Sequence, residues 1–154
     1  MPLIVRTVEE AKALEGQELG VSDWVLIDQD RINRFAEATD DYQWIHVDTE
    51  RAKAELPTGS TIAHGYLLTA LLPALIGDIV VFEGERAINY GLNKVRFRKM
   101  VPAGSRVRLR STLKSARKRA GALQVILDNT LEVEGEAKPA CVAETIALYF
   151  LTKD

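Results

Sequence analysis

The chain has 154 residues, the length of one ordinary domain, with 47% apolar and 27% charged residues, 10 Gly and 5 Pro. That excludes a second full domain and the collagen-like, low-complexity and disordered classes. One cysteine and two histidines exclude an internal disulfide and, by counting, a Cys/His zinc site, and leave His46 and His64 as the only sources of imidazole chemistry. The net charge of −2 conceals an asymmetry, because Lys94 to Arg119 holds 11 of the 20 basic residues and no Asp or Glu.

The N-terminus passes from four apolar residues straight into charge and lacks the apolar core of a secretory signal. The longest uncharged apolar stretch, Ile62 to Ile76, is shorter than the roughly 18 residues a membrane helix needs. With a free cysteine, the expectation is a soluble, cytoplasmic protein without a membrane partner.

In chain order, Trp24 to Ile27 reads as a short strand, and Asp28 as the N-cap of an amphipathic helix over 29–39 carrying Ile32, Phe35 and Ala36. A polar loop follows, Thr39 to Gln43, running into Trp44-Ile45-His46. Asp48 caps a second short helix over 49–54, ended by Leu56-Pro57-Thr58-Gly59. Thr61 to Ile76 is apolar on every side and predicts a helix enclosed by the rest of the protein, with Ser60 as N-cap and Pro73 as a bend or early stop.

Beyond Asp78 the period becomes two, predicting strands over Ile88–Arg98, Ser105–Arg117, Ala122–Glu134 and Pro139–Leu151, with turns at Pro102-Ala103-Gly104, Ala120-Gly121 and Gly135-Glu136. Within the basic stretch, Arg106, Arg108 and Arg110 alternate with Val107 and Leu109. This reads first as the solvated face of a strand and second as a phosphate-binding patch; nucleic acid comes last because no recognition signature accompanies the charge. Long antiparallel strands must bury a face and an all-apolar helix must be wrapped. The expected fold is therefore α+β: a hot-dog arrangement, one domain over 1–154, paired with a second copy as a homodimer because a single sheet leaves open edges.

Polar groups that packing does not explain cluster in Asp41-Tyr42-Gln43-Trp44-Ile45-His46 and in Ala63-His64-Gly65. A carboxylate and an imidazole five residues apart can address one water, and together take and return a proton near neutral pH. The start of the apolar helix offers backbone N–H groups, and Gly65 lets a carbonyl oxygen approach them. Asp40 competes with Asp41 as the base, and Asp48 reads better as a cap. No Gly-x-Ser-x-Gly occurs and Cys141 has no His near it in sequence, so covalent acyl-enzyme chemistry has no signature.

Ala38-Thr39-Asp40-Asp41-Tyr42-Gln43-Trp44-Ile45-His46-Val47-Asp48 resembles the hydratase-2 motif of the MaoC-like dehydratases, the (R)-specific enoyl-CoA hydratases, especially the branch with the nodulation protein N-like members. Ile62 to Leu67 resembles the helix start of that family, and Asn89 to Phe97 its following strand. The resemblance implies a hot-dog dimer that hydrates trans-2-enoyl thioesters of coenzyme A or acyl carrier protein. Asp41 and His46 would hold the water, the Gly65 amide would bind the thioester oxygen, and His64 and Gln43 would line or orient the site. No metal and no cofactor beyond the coenzyme A of the substrate is implied. The commonest motif has Asn-Pro where Gln43-Trp44 stand, so Trp44 is expected to reshape the acyl pocket. Acyl-thioester hydrolysis and non-catalytic thioester binding are the alternatives.

Overall fold

A computed structural model describes residues 1–152. Thirteen elements follow in order: β1 Leu3–Val5, α1 Val8–Ala13, β2 Glu18–Val21, β3 Val25–Ile27, α2 Gln29–Thr39, α3 Trp44–Val47, α4 Thr49–Glu55, α5 Gly65–Ile79, β4 Val80–Phe82, β5 Gly84–Phe97, β6 Ser105–Arg119, β7 Ala122–Val133 and β8 Cys141–Leu151. β6, β7, β8 and β5 are neighbours in one antiparallel sheet, with β2 and β3 both pairing along the outer side of β6; β1 and β4 form a separate parallel pair.

The period-two strands lie where the pattern put them, with ends shifted by a few residues. The β6–β7 turn is set by chemistry: Ala120 (φ 47°) and Gly121 (φ 78°) both occupy the left-handed region, as a two-residue hairpin in step with sheet twist requires, and Arg119 faces Ala122. On β6 the residues Val107, Leu109 and Leu113 are buried, and on β7 Leu123, Val125, Leu127 and Leu131. These inner faces pack on Leu67, Leu68, Leu72, Leu75, Ile76 and Ile79 of α5, so the sheet curls around one helix in the hot-dog arrangement. Three register shifts along β5, at Gly84/Arg86, Asn89/Gly91 and Leu92/Lys94, bend that strand as bulges do.

The expectations for α5 are corrected at its start, at Pro73 and in its enclosure. Helix α5 begins at Gly65, not Thr61, because Thr61 to Ala63 spend their backbone groups elsewhere. Ala103 N–H donates to Thr61 O, Ile62 N–H to Ile45 O and Ala63 N–H to Val101 O. Ser60 therefore caps nothing. Nor does Pro73 stop the helix, which continues to Ile79 because the buried leucines and isoleucines beyond it outweigh one missing hydrogen bond. Within one chain α5 is also not fully enclosed: Tyr66, Ala70, Pro73, Ala74 and Gly77 form an exposed stripe.

The basic stretch finds its acids on neighbouring strands. Arg108 and Arg110 both bond Glu132 of β7, at 2.6 and 2.9 Å, Arg110 also reaches Glu18 of β2 at 2.7 Å, Arg106 pairs with Glu134 at 3.3 Å, and Lys114 with Glu144. These residues make a solvated, self-neutralised outer face, as the alternation predicts. No helix among the described residues is long and apolar enough to cross a membrane.

Candidate functional site

The site begins with how α2 ends. Asp40 takes a left-handed conformation (φ 57°), which stops the helix, and Asp41 N–H turns back to Ala36 O at 3.1 Å. Asp40 is thereby a helix terminator, and the chain leaves with Asp41 pointing toward α5. The segment that follows is not a loop throughout. Trp44 to Val47 form the single turn α3, and Asp48 caps α4 through its carboxylate on Arg51 N–H at 3.0 Å.

His46 is buried in that turn and fixed at three points. Its Nδ1 lies 2.7 Å from Ile62 O, its main-chain O accepts from Gln29 Nε2 at 2.8 Å, and its main-chain N–H donates to Gln43 O at 3.0 Å. A carbonyl can only accept, so Nδ1 carries the proton and a neutral His46 holds its lone pair on Nε2. Burial disfavours the charged ring and lowers its pKa below the usual 6.5. The bond to Ile62 and the Asp41 charge pull the other way, and His64 adds to the lowering.

His64, only 2% exposed, stacks on His46 with ring centres 3.8 Å apart and planes 23° from parallel. By the same reasoning its Nε2 donates to Asp41 O at 3.0 Å, leaving Nδ1 as an acceptor. That Nδ1 is the one buried side-chain nitrogen or oxygen without a hydrogen-bond partner among the described residues. It is free to accept from a ligand or a water. Phe35 of α2 packs on the His64 ring at 4.9 Å between centres, tilted by 56°.

Asp41, with access to solvent, completes the group: Asp41, His46 and His64 each offer a donor atom within 4.8 Å of those of the other two. Such a trio invites comparison with a metal site. With one ring nitrogen of each histidine already bonded to a carbonyl, the free nitrogens and the carboxylate can also share one water. Gln43 meets Asp41 through its main chain, N–H to Oδ1 at a long 3.4 Å, and not through its side-chain amide.

Gly65 is the first residue of α5, and its N–H and that of Tyr66 have no acceptor within the helix. A Cβ at Gly65 would lie 2.9 Å from the ring of Phe97, the last residue of β5, so the approach is closed to any other side chain unless that ring moves. Thr69, Pro73 and Gly77 follow Gly65 at four-residue steps on the same helix face. They line a cavity of about 790 Å³ between α5 and strands β4, β5, β7 and β8, whose walls include Leu72, Ile76, Leu92 and Leu127. The Asp41, His46 and His64 group thus sits at one end of the helix, and the cavity opens one turn further along. Trp44 does not line this cavity; its ring lies under the Arg51 guanidinium at 4.0 Å. Burial pushes the Cys141 thiol up to about 11 and keeps it from acting as a nucleophile.

Sequence reasoning found Asp41, His46, His64 and Gly65, which the fold brings to one place. It missed Gln29, Thr61, the Ile62 carbonyl and Phe97. Gln29 Nε2 also bonds Asn33 Oδ1 at 2.9 Å, and Thr61 Oγ1 donates to Gln29 Oε1. No local pattern signals partners 17 and 32 residues away.

The family model described as "MaoC like domain" matches residues 10–135. The chain is 52% identical over 145 residues to 3-hydroxyacyl-thioester dehydratase Z of Mycobacterium tuberculosis, covering 93% of this chain and 95% of that one. It is 46% identical to nodulation protein N of Rhizobium meliloti, covering 92% and 90%. Among solved structures, the unliganded R-hydratase PhaJ1 of Pseudomonas aeruginosa has the same fold, with a TM-score of 0.73 at 22% identity over 90% of this chain and 83% of that one. With the motif residues gathered at the start of the wrapped helix, this chain belongs to the MaoC-like dehydratase family.

Proposed function

We propose that the protein catalyses the reversible, (R)-specific hydration of trans-2-enoyl thioesters, with Asp41 and His46 as the acid–base pair. The observation that carries this reading is their position: a carboxylate and the Nε2 lone pair of a neutral imidazole stand beside a helix start whose Gly65 N–H is unclaimed. Placed between Asp41 and His46, a water gives one proton to the pair while its oxygen bonds to the β-carbon. The electron pair of the double bond moves to the thioester oxygen, where the Gly65 N–H stabilises the enolate. The enolate then takes a proton at the α-carbon from the pair, and the reverse sequence eliminates water. Acid–base help of this kind is worth about 10²–10⁴ in rate. Carbonyl activation supplies a comparable share.

The substrate class follows from family and shape. The named relative is a 3-hydroxyacyl-thioester dehydratase, and the apolar cavity beyond Thr69 suits an acyl chain. The carrier is coenzyme A or acyl carrier protein, and no further cofactor enters the scheme. A second copy belongs to the functional unit. Among the described residues β5 pairs with β8 alone and exposes Ile88 and Phe97 outside the cavity, an apolar edge that a homodimer would cover.

The test is incubation with crotonyl-CoA while enoyl absorbance and free thiol are both followed. Loss of absorbance without thiol is expected. Thiol release would mean hydrolysis, and no change across several chain lengths would leave a non-catalytic thioester binder.

A further inference from the structure

We infer that Gln29 is a positioning residue for the acid–base pair, holding His46 and the start of α5 in register without touching substrate. The inference rests on the proposed role of His46. Gln29 is the first residue of α2, directly after its cap Asp28. Its amide is fully used: Nε2 donates to His46 O at 2.8 Å and to Asn33 Oδ1 at 2.9 Å, while Oε1 accepts the Thr61 hydroxyl. Each of its two N–H groups has an acceptor and its oxygen has a donor, so the amide orientation is determined by its partners.

These bonds close a ring. Gln29 holds the carbonyl of His46, the His46 ring holds the carbonyl of Ile62, and Ile62 follows Thr61, which returns to Gln29. The ring is needed because α3 is a single turn with no side-chain cap. Such a turn is unstable alone, and its last carbonyls have no intrahelical donors. Gln29 supplies one from a longer helix that is anchored by buried Ile32 and Ala36. It also ties that turn to residues 61–63, whose course sets where α5 begins. Its amide is taken up by His46 O, Asn33 and Thr61, so its effect passes through His46.

The experiment compares wild type, Gln29→Ala, Gln29→Glu and Thr61→Ser by steady-state kinetics on crotonyl-CoA and by nitrogen-15 NMR of the imidazoles. Gln29→Ala is expected to lower kcat about 10- to 100-fold with KM held within about twofold, the effect of a misplaced catalytic group. It should also turn the single Nδ1–H tautomer of His46 into a mixture. Gln29→Glu keeps the acceptor for Thr61 but has no N–H for the His46 carbonyl, so it should behave like Gln29→Ala. Thr61→Ser keeps the hydroxyl that Gln29 Oε1 accepts, so His46 should stay a single Nδ1–H tautomer. If Gln29→Ala does not fold, Gln29→Glu, of the same size, decides on the same two readouts. A wild-type kcat in the Gln29 variants, or a lowered kcat with the tautomer intact, overturns the inference. Should wild type itself show no hydration, the proposed function fails on its own, and the tautomer readout still decides whether Gln29 positions His46.

Discussion

The rings of His46 and His64 lie face to face at 3.8 Å, and each is oriented by a different main-chain carbonyl, Ile62 for the first and Asp41 for the second. Two histidines 18 positions apart thus become one unit with opposite nitrogens used, Nδ1 of His46 and Nε2 of His64. A charge on the His64 ring disfavours protonating His46.

Replacing the acid–base groups should remove activity and leave the fold. Asp41→Asn and His46→Gln are each expected to cut hydration of crotonyl-CoA a hundredfold or more, with the far-ultraviolet circular dichroism unchanged. Near wild-type rates in both variants would refute the site.

Because the His46 pKa is lowered from 6.5, chiefly by burial, its protonation works against the fold. Below 6.5 an unfolded chain accepts a proton that the native site resists, so the unfolded state binds more protons and stability falls as pH drops through the window from 6.5 down to the native pKa. Above 6.5 this contribution is fully present. Urea unfolding of wild type and His46→Gln at about pH 7.5 and pH 5.5 measures it. The variant should lose less stability between the two conditions, and equal losses would contradict the lowered pKa.

Gly65→Ala separates binding of the thioester oxygen from folding. The atoms nearest the new Cβ, at 2.9 to 3.1 Å, belong to the Phe97 ring, the end of a side chain that can rotate away. The melting temperature should therefore move little, while the methyl crowds the amide and lowers kcat by about 10²-fold, the scale for losing one oxyanion donor. A variant that melts several degrees lower with kcat unchanged would make Gly65 a packing residue.

The cavity gives a chain-length prediction. A Cβ at Gly77 meets nothing within 4 Å and the residue lines the cavity wall. Gly77→Leu should thus occupy acyl space, costing long-chain substrates about 1–3 kcal/mol in kcat/KM while sparing crotonyl-CoA. A uniform effect across chain lengths would place the acyl group elsewhere.

The exposed strand edge predicts assembly. Sedimentation equilibrium should find a particle of twice the 17.1 kDa chain, and Ile88→Asp, placing charge on β5, should shift it toward the single chain. A monomeric wild type that is fully active would remove the partner from the proposed unit.

What was readable in advance depended on local chemistry. The period-two strands, the Asp28 and Asp48 caps, the Ala120-Gly121 hairpin and the Asp41 to His46 spacing are all properties of short windows of chain, because side-chain alternation, capping and turn dihedrals act over two to five residues. The short β1, α1, β2 and β4 carry too few residues to show a period, and they exist through partners far along the chain, such as β1 on β4. The start of α5 was misplaced for the same reason, since Thr61 to Ala63 are as apolar as the helix and only the competing donors and acceptors of Ile45, Val101 and Ala103 draw them out of it. So composition and spacing determined that this chain wraps a sheet around one helix and carries a carboxylate–imidazole pair. Only tertiary structure decided which ring nitrogen is free, that Gln29 holds His46 in place, and where the cavity opens, because hydrogen bonds between groups 16 to 32 residues apart leave no trace in local pattern.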